Sequence, residues 1–320
     1  MLSYLSMRYL VTGGAGFIGS HLVDALIKKN HQVCVLDDLS SGKKENLNPK
    51  AKFYQLNILD DLSLVFKDFK PEIIYHLAAQ SSVAVSLRDP AKDAQINILG
   101  SLSLFKYCRQ NINHFILEQN KGEESRGFTV RKVIFVSSGG TIYGTAKKIP
   151  TPETEPTNPE CPYAVAKLSV EKYLSALKIP HSILRLANVY GPRQDPQGEA
   201  GVVAIFIGKI LKNEPPTIFG TGKQTRDYVY IDDVVHALLL AATKKTPALL
   251  NIGTGKETSV KQILKLIDSK VKSVFTPARS GELQRSSIDS RQARRILGWQ
   301  PKVSLEQGIK ITKEYFKKSI

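Results

Sequence analysis

Two side chains four positions apart are placed to move a proton. Tyr163 and Lys167 lie in Pro162-Tyr-Ala-Val-Ala-Lys-Leu, a stretch whose pattern is helical and is continued by Glu171 and Tyr173. The i,i+4 spacing stacks both side chains on one helix face. A phenol of ordinary pKa, about 10, is a poor base at neutral pH. A neighbouring ammonium stabilises the phenolate and lowers that value, so the pair can exchange a proton with a hydroxyl group. Tyr-x-x-x-Lys is common by chance; its weight here comes from what precedes it, a glycine-rich strand-to-helix turn and the strand Val133-Ile-Phe-Val-Ser-Ser138.

The turn reads Gly13-Gly14-Ala15-Gly16-Phe17-Ile18-Gly19, between a strand and a helix. Glycines also serve ordinary turns, but this context is the one a dinucleotide requires. Gly13 permits the tight turn, Gly16 lets backbone N–H groups approach a pyrophosphate, and Gly19 allows close helix–strand packing. The helix N-terminus then holds the diphosphate. Asp37 ends the second strand, eighteen residues past Gly19. A carboxylate there accepts bonds from the adenosine ribose and repels a 2′-phosphate, which favours NAD over NADP. Lys43 and Lys44 follow closely enough to tolerate a phosphate, so the preference rests on Asp37. With NAD in place, its positive nicotinamide ring adds to the ammonium in favouring the phenolate.

These groups need a scaffold, and the first half alternates β-branched runs with amphipathic stretches. Arg8–Thr12, Gln32–Leu36, 52–56, 73–77, 132–136 and 182–186 read as strands, and 17–29 as a helix. The alternation predicts right-handed crossovers and an α/β, Rossmann-type, doubly wound parallel sheet. After Gly191 the texture changes: Pro192, Pro196, Pro215 and Pro216 break the pattern, and shorter elements follow, ending in a lysine-rich helix from about Ser304. The expected organisation is an NAD-binding domain over residues 1–189 and a smaller C-terminal substrate-binding α/β domain over 190–320, which is free to return strands to the main sheet. The polar stretch 111–131 reads as a surface insertion.

Bulk composition narrows the partners. The 320 residues are 42% hydrophobic and 23% charged, an ordinary globular balance. No apolar run approaches the ~20 residues that span a bilayer, and the N-terminal apolar stretch is too short for a signal peptide. Cys34, Cys108 and Cys161 lack Cys-x-x-Cys spacing, which argues against a disulfide framework or a metal site and fits a reducing compartment. The chain is expected to be cytoplasmic. The formal charge of +16 admits a nucleic-acid binder, yet no recognition-helix, zinc-finger or RNA-sheet signature accompanies it. Lysines on solvated helix faces account for the charge, in a field that also attracts a nucleotide diphosphate. Neither nucleic acid nor membrane is an expected partner.

The segments TGGAGFIGSHL (12–22), HLAAQSSV (76–83), VSSGGTIYG (136–144), YAVAK (163–167), RLANVYGPRQ (185–194), GTGKQTRDYVYIDDV (220–234) and PARSGEL (277–283) together resemble the extended short-chain dehydrogenases, and within them the UDP-glucose 4-epimerase group. The resemblance covers nearly the whole chain. It implies Phe17 and Ile18 at the pyrophosphate turn and Asp37, Asp38, Ser40, Ser41 and Gly42 around the adenosine ribose. Asn57 and Ile58 would flank the adenine, although the family usually has an aspartate at the place of Asn57. Leu77, Ala78 and Ala79 would line the cofactor, and Asn97 would meet it from a helix. On the substrate side it implies Thr141, Asn188 and Gly201 near the sugar-diphosphate and Thr217 and Phe219 at the uracil. Arg226 and Arg279 would hold the diphosphate through charge-assisted bonds, with Glu282 near the uridine ribose. It further implies a homodimer through a four-helix bundle made by the helix after Asn97 and the helix of Tyr163, with Leu102, Leu104 and Leu168 as candidates for the outward faces.

One departure bears on the mechanism. The family usually has Ser or Thr four residues before the tyrosine of its VYG-like segment, which here is Gly139, counted back from Tyr143. Ser138 or Thr141 reaches into the site instead, or water does, or Tyr163 acts with Lys167 alone; Ser138 stands as the third catalytic candidate. The segment Gly139-Gly140-Thr141 also lacks the carboxylates that dehydratase relatives carry there, which favours epimerisation at C4 of a UDP-hexose, through a 4-keto sugar, over dehydration or decarboxylation. An idle NAD-bound scaffold is the reading from a different class, and Gly139 feeds it. Seven residues past Arg279 stands Ser286, where relatives restricted to plain hexoses carry tyrosine; a small residue predicts that N-acetyl sugars are accepted. Plain structural roles are expected for Ser81 and Ser82 (a turn), His76 (a strand end) and Trp299 (core).

Overall fold

The computed structural model describes residues 6–119, 129–198, 201–244, 247–279 and 282–319. In the first half, β1 (Arg8–Thr12), α1 (Phe17–Lys28), β2 (Gln32–Leu36), β3 (Lys52–Tyr54), α2 (Ser63–Phe69) and β4 (Ile73–His76) alternate. Helices α3 (Val83–Arg88) and α4 (Pro90–Ala94) run through a π-helical turn, Gln95–Leu99, into α5 (Gly100–Gln119). Strand β5 (Lys132–Ser138), α6 (Pro162–Ala176) and β6 (His181–Leu186) follow. The second half holds β7 (Asn188–Tyr190), α7 (Val202–Leu211), β8 (Thr217–Phe219), β9 (Thr225–Arg226), β10 (Tyr228–Tyr230) and α8 (Ile231–Thr243). It ends with β11 (Ala248–Ile252), β12 (Thr258–Ser259), α9 (Val260–Ile267), β13 (Val274–Thr276), α10 (Arg291–Leu297) and α11 (Leu305–Ser319).

The main sheet has seven strands in the order β11-β6-β5-β4-β1-β2-β3, all parallel. Its central strands are apolar on both faces, as helices on both sides require. The sequence order reverses between β1 and β4, and the crevice beyond their carboxyl ends is where such sheets take ligands. Gly13, Asp37, Leu77, Ser138 and Asn188 all stand at or just past the ends of these strands. The Rossmann-type expectation therefore holds.

Two departures are informative. The expected insertion over 111–131 begins as helix: α5 continues to Gln119. Residues 120–128 lie outside those described; Arg131 leads into β5 with its N–H on the Glu72 carbonyl at 2.7 Å. The second departure is the degree of merging. Strand β11 pairs with β6, α8 packs on α1, and one apolar cluster joins Leu22 and Leu26 of α1 to Leu238 of α8, Leu250 of β11 and Trp299. Lys132, buried at the start of β5, donates to the Ala241 and Lys244 carbonyls at the end of α8 (3.0 and 2.7 Å). Trp299 is core, as expected, with its N–H on the Asp233 carbonyl at 2.8 Å.

His76 does more than fill a strand end. The Leu77 and Ala78 N–H groups both donate to Thr12 Oγ1 (3.2 Å each), so Thr12 turns its own hydrogen to His76 Nδ1 at 2.8 Å. Ser101 Oγ donates to the Asn97 carbonyl and accepts from His76 Nε2 at 2.8 Å. These partners fix the neutral ring with its hydrogen on Nε2. Burial, with the Lys167 charge behind it, pushes the His76 pKa down to about 3. The unfolded chain thus binds a proton that the folded one refuses between about pH 6.5 and 3, and stability falls as pH drops through that window. Urea titrations should show the unaltered protein losing about 1.4 kcal/mol more than His76→Gln between about pH 7.5 and 5.5; equal losses would mean that His76 is not held neutral.

Candidate active site

The glycine turn is fixed by backbone contact. Gly13 has φ +70°, and a Cβ there would come within 2.8 Å of the Ala78 nitrogen, while a Cβ on Gly19 would collide with the Gly13 carbonyl. Helix α1 starts at Phe17 with no side-chain cap and no acid in its first turn, so its N-terminus is open to an anion. Asp37 is buried and ties the turn together: its carboxylate accepts the Ala15 and Leu39 N–H groups, each at 2.9 Å. Burial raises its pKa, and those two bonds pull it back. Gly42 lies so close that a Cβ would reach within 2.7 Å of Asp37 Oδ1. Ser40 donates its N–H to Asp38 at 2.9 Å, and Ser41 is exposed beside it. A loop held on glycines, an open helix end and a terminal carboxylate fit a dinucleotide such as NAD.

The aspartate missing at Asn57 has a local explanation. Asn57 Nδ2 donates to Asp38 Oδ2 at 2.7 Å, a bond that a carboxylate at position 57 would turn into repulsion. Ile58 is buried against Gly100. Leu77, Ala78 and Ala79 are partly exposed past β4 and line the crevice. Asn97 stands in the π-helical turn before α5. It is 3% exposed, and both amide hydrogens are committed, to the Gln80 carbonyl and to Asp93, while Gln80 N–H donates back to its Oδ1. It supports the Leu77–Gln80 segment from beneath, because the π-helical turn rotates it inward.

Helix α6 brings Tyr163 and Lys167 to the same crevice. Lys167 is buried, donates to the Val136 carbonyl at 3.1 Å, and has its ammonium 4.9 Å from the Phe135 ring centre and 5.9 Å from that of Tyr163. Burial lowers the Lys167 pKa to about 8, against the attraction of Asp93 and Glu171. Burial raises the Tyr163 phenol to about 12, and a hydrogen bond from Ser138 opposes it; the expected depression draws on the nicotinamide charge as well as on Lys167. Thr141 in turn donates to Ser138 Oγ at 2.9 Å. Thr141, Ser138 and Tyr163 thus form a line of hydroxyls, with Thr141 behind Ser138. Gly139 points elsewhere: a Cβ there would meet Ile288 at 2.7 Å and the Arg185 carbonyl at 3.2 Å. A side chain at 139 would enter the core, so its hydroxyl is not the one this backbone calls for.

What sequence reasoning missed is the machinery that anchors α6. Glu171, one turn beyond Lys167, accepts from Arg185 Nε and Nη2 at 2.9 and 2.5 Å and from Ser137 at 2.6 Å, all buried. Arg185 also donates to Tyr143, whose hydroxyl donates to Asn251 of β11 at 2.8 Å. Breaking one half of such a buried pair costs about 3–5 kcal/mol. An acid at i+4 from Lys167 on a buried helix face was the available signal.

The remaining expected residues come from the second half of the chain. Asn188 is exposed at the start of β7, with its Oδ1 3.3 Å from where a Cβ on Gly140 would lie. Gly201 opens α7 at φ +101°. Thr217 accepts from Lys209 at 3.2 Å, and the Arg279 guanidinium lies 3.9 Å from the Phe219 ring centre. Arg226 pairs with Glu282 at 3.2 Å. Ser286 donates to the Gly140 carbonyl at 3.4 Å, next to the Ser138–Thr141 segment.

The family profile described as the NAD dependent epimerase/dehydratase family matches residues 9–253. A UDP-glucose 4-epimerase of Mycolicibacterium smegmatis is 45% identical over 326 residues, covering 97% of this chain and 99% of the relative. The crystal structure of a UDP-glucose 4-epimerase with UDP-glucose from Thermotoga maritima has a TM-score of 0.90 at 49% identity, covering 98% of this chain and 99% of its own. That of a Thermus thermophilus UDP-glucose 4-epimerase in complex with NAD has a TM-score of 0.89 at 38% identity, covering 98% and 100%. No helix among the described residues is long and apolar enough to cross a membrane. The chain belongs to the NAD-dependent epimerase/dehydratase family.

Proposed function

We propose that the protein is an NAD-dependent UDP-sugar 4-epimerase that interconverts UDP-glucose and UDP-galactose. The observation that carries this reading is the position of Tyr163, with Ser138 bonded to it and Lys167 one turn on, at the mouth of a dinucleotide crevice. When bound, NAD supplies the hydride acceptor and donor that carry C4 through its ketone, and a cationic ring. Tyr163 takes the proton from the C4 hydroxyl and returns it after the sugar has turned its other face. Ser138 holds the phenolic oxygen by its hydrogen bond, and Thr141 orients Ser138. Arg226 and Arg279 hold the diphosphate, which suits two cations lining one side, and Phe219 offers a ring face to the uracil. Glu282, already on Arg226, sets that arginine's direction.

Dehydration or decarboxylation is disfavoured because Gly139, Gly140 and Thr141 supply no carboxylate beside Tyr163. The idle scaffold loses its support with Gly139, whose missing side chain would face Ile288. Incubation with UDP-galactose should yield UDP-glucose, and Tyr163→Phe should lower kcat at least about 100-fold with an unchanged Tm. Turnover by Tyr163→Phe equal to that of the unaltered protein would end this assignment.

Substrate range follows from Ser286. It is small, partly exposed and lies on the Gly140 carbonyl, which leaves room for an N-acetyl group at C2 of the sugar. The enzyme should accept UDP-N-acetylglucosamine, and Ser286→Tyr should cut kcat/KM for it, relative to UDP-glucose, by about tenfold or more. An unaltered ratio would place the size filter elsewhere.

We also propose a homodimer through α5 and α6, in a cytoplasmic setting that suits three free thiols. Leu104 is fully buried and Leu102 packs against the core, so neither supplies the outward face, and Leu168 is half-buried. Leu99, Val165 and Tyr173 do supply it, at 55%, 46% and 41% exposure, an apolar set that association would cover. Light scattering should give about twice 35.4 kDa, and Val165→Asp should halve it; a mass near one chain for the unaltered protein would remove the dimer.

A further inference from the structure

A carboxyl group is buried behind the catalytic pair, and no assigned role uses it. Asp93, on α4, is 1% exposed. Its Oδ1 accepts from Asn97 Nδ2 at 2.9 Å and from Gln80 Nε2 at 2.7 Å, while its Oδ2, equally buried, has no hydrogen-bond partner among the described residues. A half-satisfied buried acid is unfavourable unless a cation balances it. Helix α4 packs directly on α6; burial raises the Asp93 pKa, and the Gln80 and Asn97 amides together with the Lys167 charge on α6 pull it back. The other acid acting on Lys167 is Glu171, whose two oxygens are already taken by Arg185. Asp93 has no such partner.

We propose that Asp93 is a positioning residue of the reaction, the buried counter-charge that keeps Lys167 an ammonium beside Tyr163. The inference rests on the 4-epimerase reading for its kinetic consequence, but not for its electrostatics. Around Lys167 the groups that face it are Tyr163 and Glu171 from α6, Asp93 from α4, neutral His76 from β4, and the Val136 carbonyl from β5. Burial holds Lys167 down at about 8 even with Asp93 and Glu171 attracting its charge, so loss of the first of these partners leaves it neutral near working pH. The π-helical turn Gln95–Leu99 belongs to the same device: such turns re-aim side chains at functional sites, and this one lays the Asn97 amide against Asp93.

Asp93→Asn keeps the shape and an oxygen for both amide donors while removing the charge. In protein labelled with [ε-13C]lysine, with the Lys167 signal identified by its loss in Lys167→Met, the midpoint of Lys167 should fall by about one pH unit or more in Asp93→Asn. The alkaline limb of the kcat profile with UDP-galactose should move down with it, and Asp93→Glu should restore both. A Lys167 midpoint that does not move overturns the proposal, as does a loss of kcat equal at every pH. Should Asp93→Asn not fold, the aspartate 13Cγ signal of the unaltered protein decides: Asp93 must be ionised at neutral pH, and a protonated Asp93 sinks the idea. If the unaltered protein does not convert UDP-galactose, the functional reading fails while the NMR result stands or falls separately.

Discussion

Helix α6 buries two opposite charges one turn apart, and the geometry of the site depends on how each is balanced. A charge in a helix–sheet interface is tolerated only when opposite charge and hydrogen bonds meet it there. Glu171 is met by Arg185 in a two-point bond, with Ser137 adding a third contact. That arrangement clamps α6 against β5 and β6 and extends through Tyr143 to Asn251 on β11. Lys167 then has one place to put its ammonium, on the Val136 carbonyl, within reach of Tyr163. The helix cannot slide without stripping a buried guanidinium of its partner.

The cofactor side is stiffened by a different device, made of neutral groups. Thr12, His76, Ser101 and Asn97 pass hydrogen bonds in series from the end of β1 through β4 to the helix beyond. The series ends where Asn97 grips Gln80 on both sides of its peptide. The glycine turn rests on Ala78 in the same region. Two loops that must accept a flat, extended ligand are therefore braced from below, with their upper surface left open. Preorganisation of this kind lets binding energy go into orientation instead of loop ordering.

Much of this was readable from residues alone. The glycine spacing, Asp37 and the Tyr163–Lys167 step each follow from a local rule in which one residue type has one physical use. The strands of the first half were legible because both their faces are apolar. What escaped was set by tertiary contact. The bonds from Asn97 to Gln80 and Asp93 were hidden, because nothing in Gln95–Leu99 announces the π-helical turn that carries Asn97. Gly139 looked like a deletion in the proton relay, because counting along a chain cannot tell that its side chain would face Ile288 while Ser138 faces Tyr163. Asn57 looked like a departure until Asp38 appeared as its partner, an exchange of acid and amide across one hydrogen bond. The burial that raises the Tyr163 phenol was not legible either, because desolvation is a property of the packed fold.

Strand β11 and helix α8 come from the second half of the chain yet complete the sheet and core of the first. A ribosome that has released only the stretch through β6 has made the glycine turn and Ser138, Tyr163 and Lys167, but not the strand that covers the edge of β6 or the helix that covers α1. Such a nascent chain holds a bare sheet edge, the surface most given to wrong pairing. Final assembly of the cofactor half must await more than sixty further residues, up to Ile252. The catalytic apparatus is thus locked in only after α8 and β11 have joined the core and sheet of the first half.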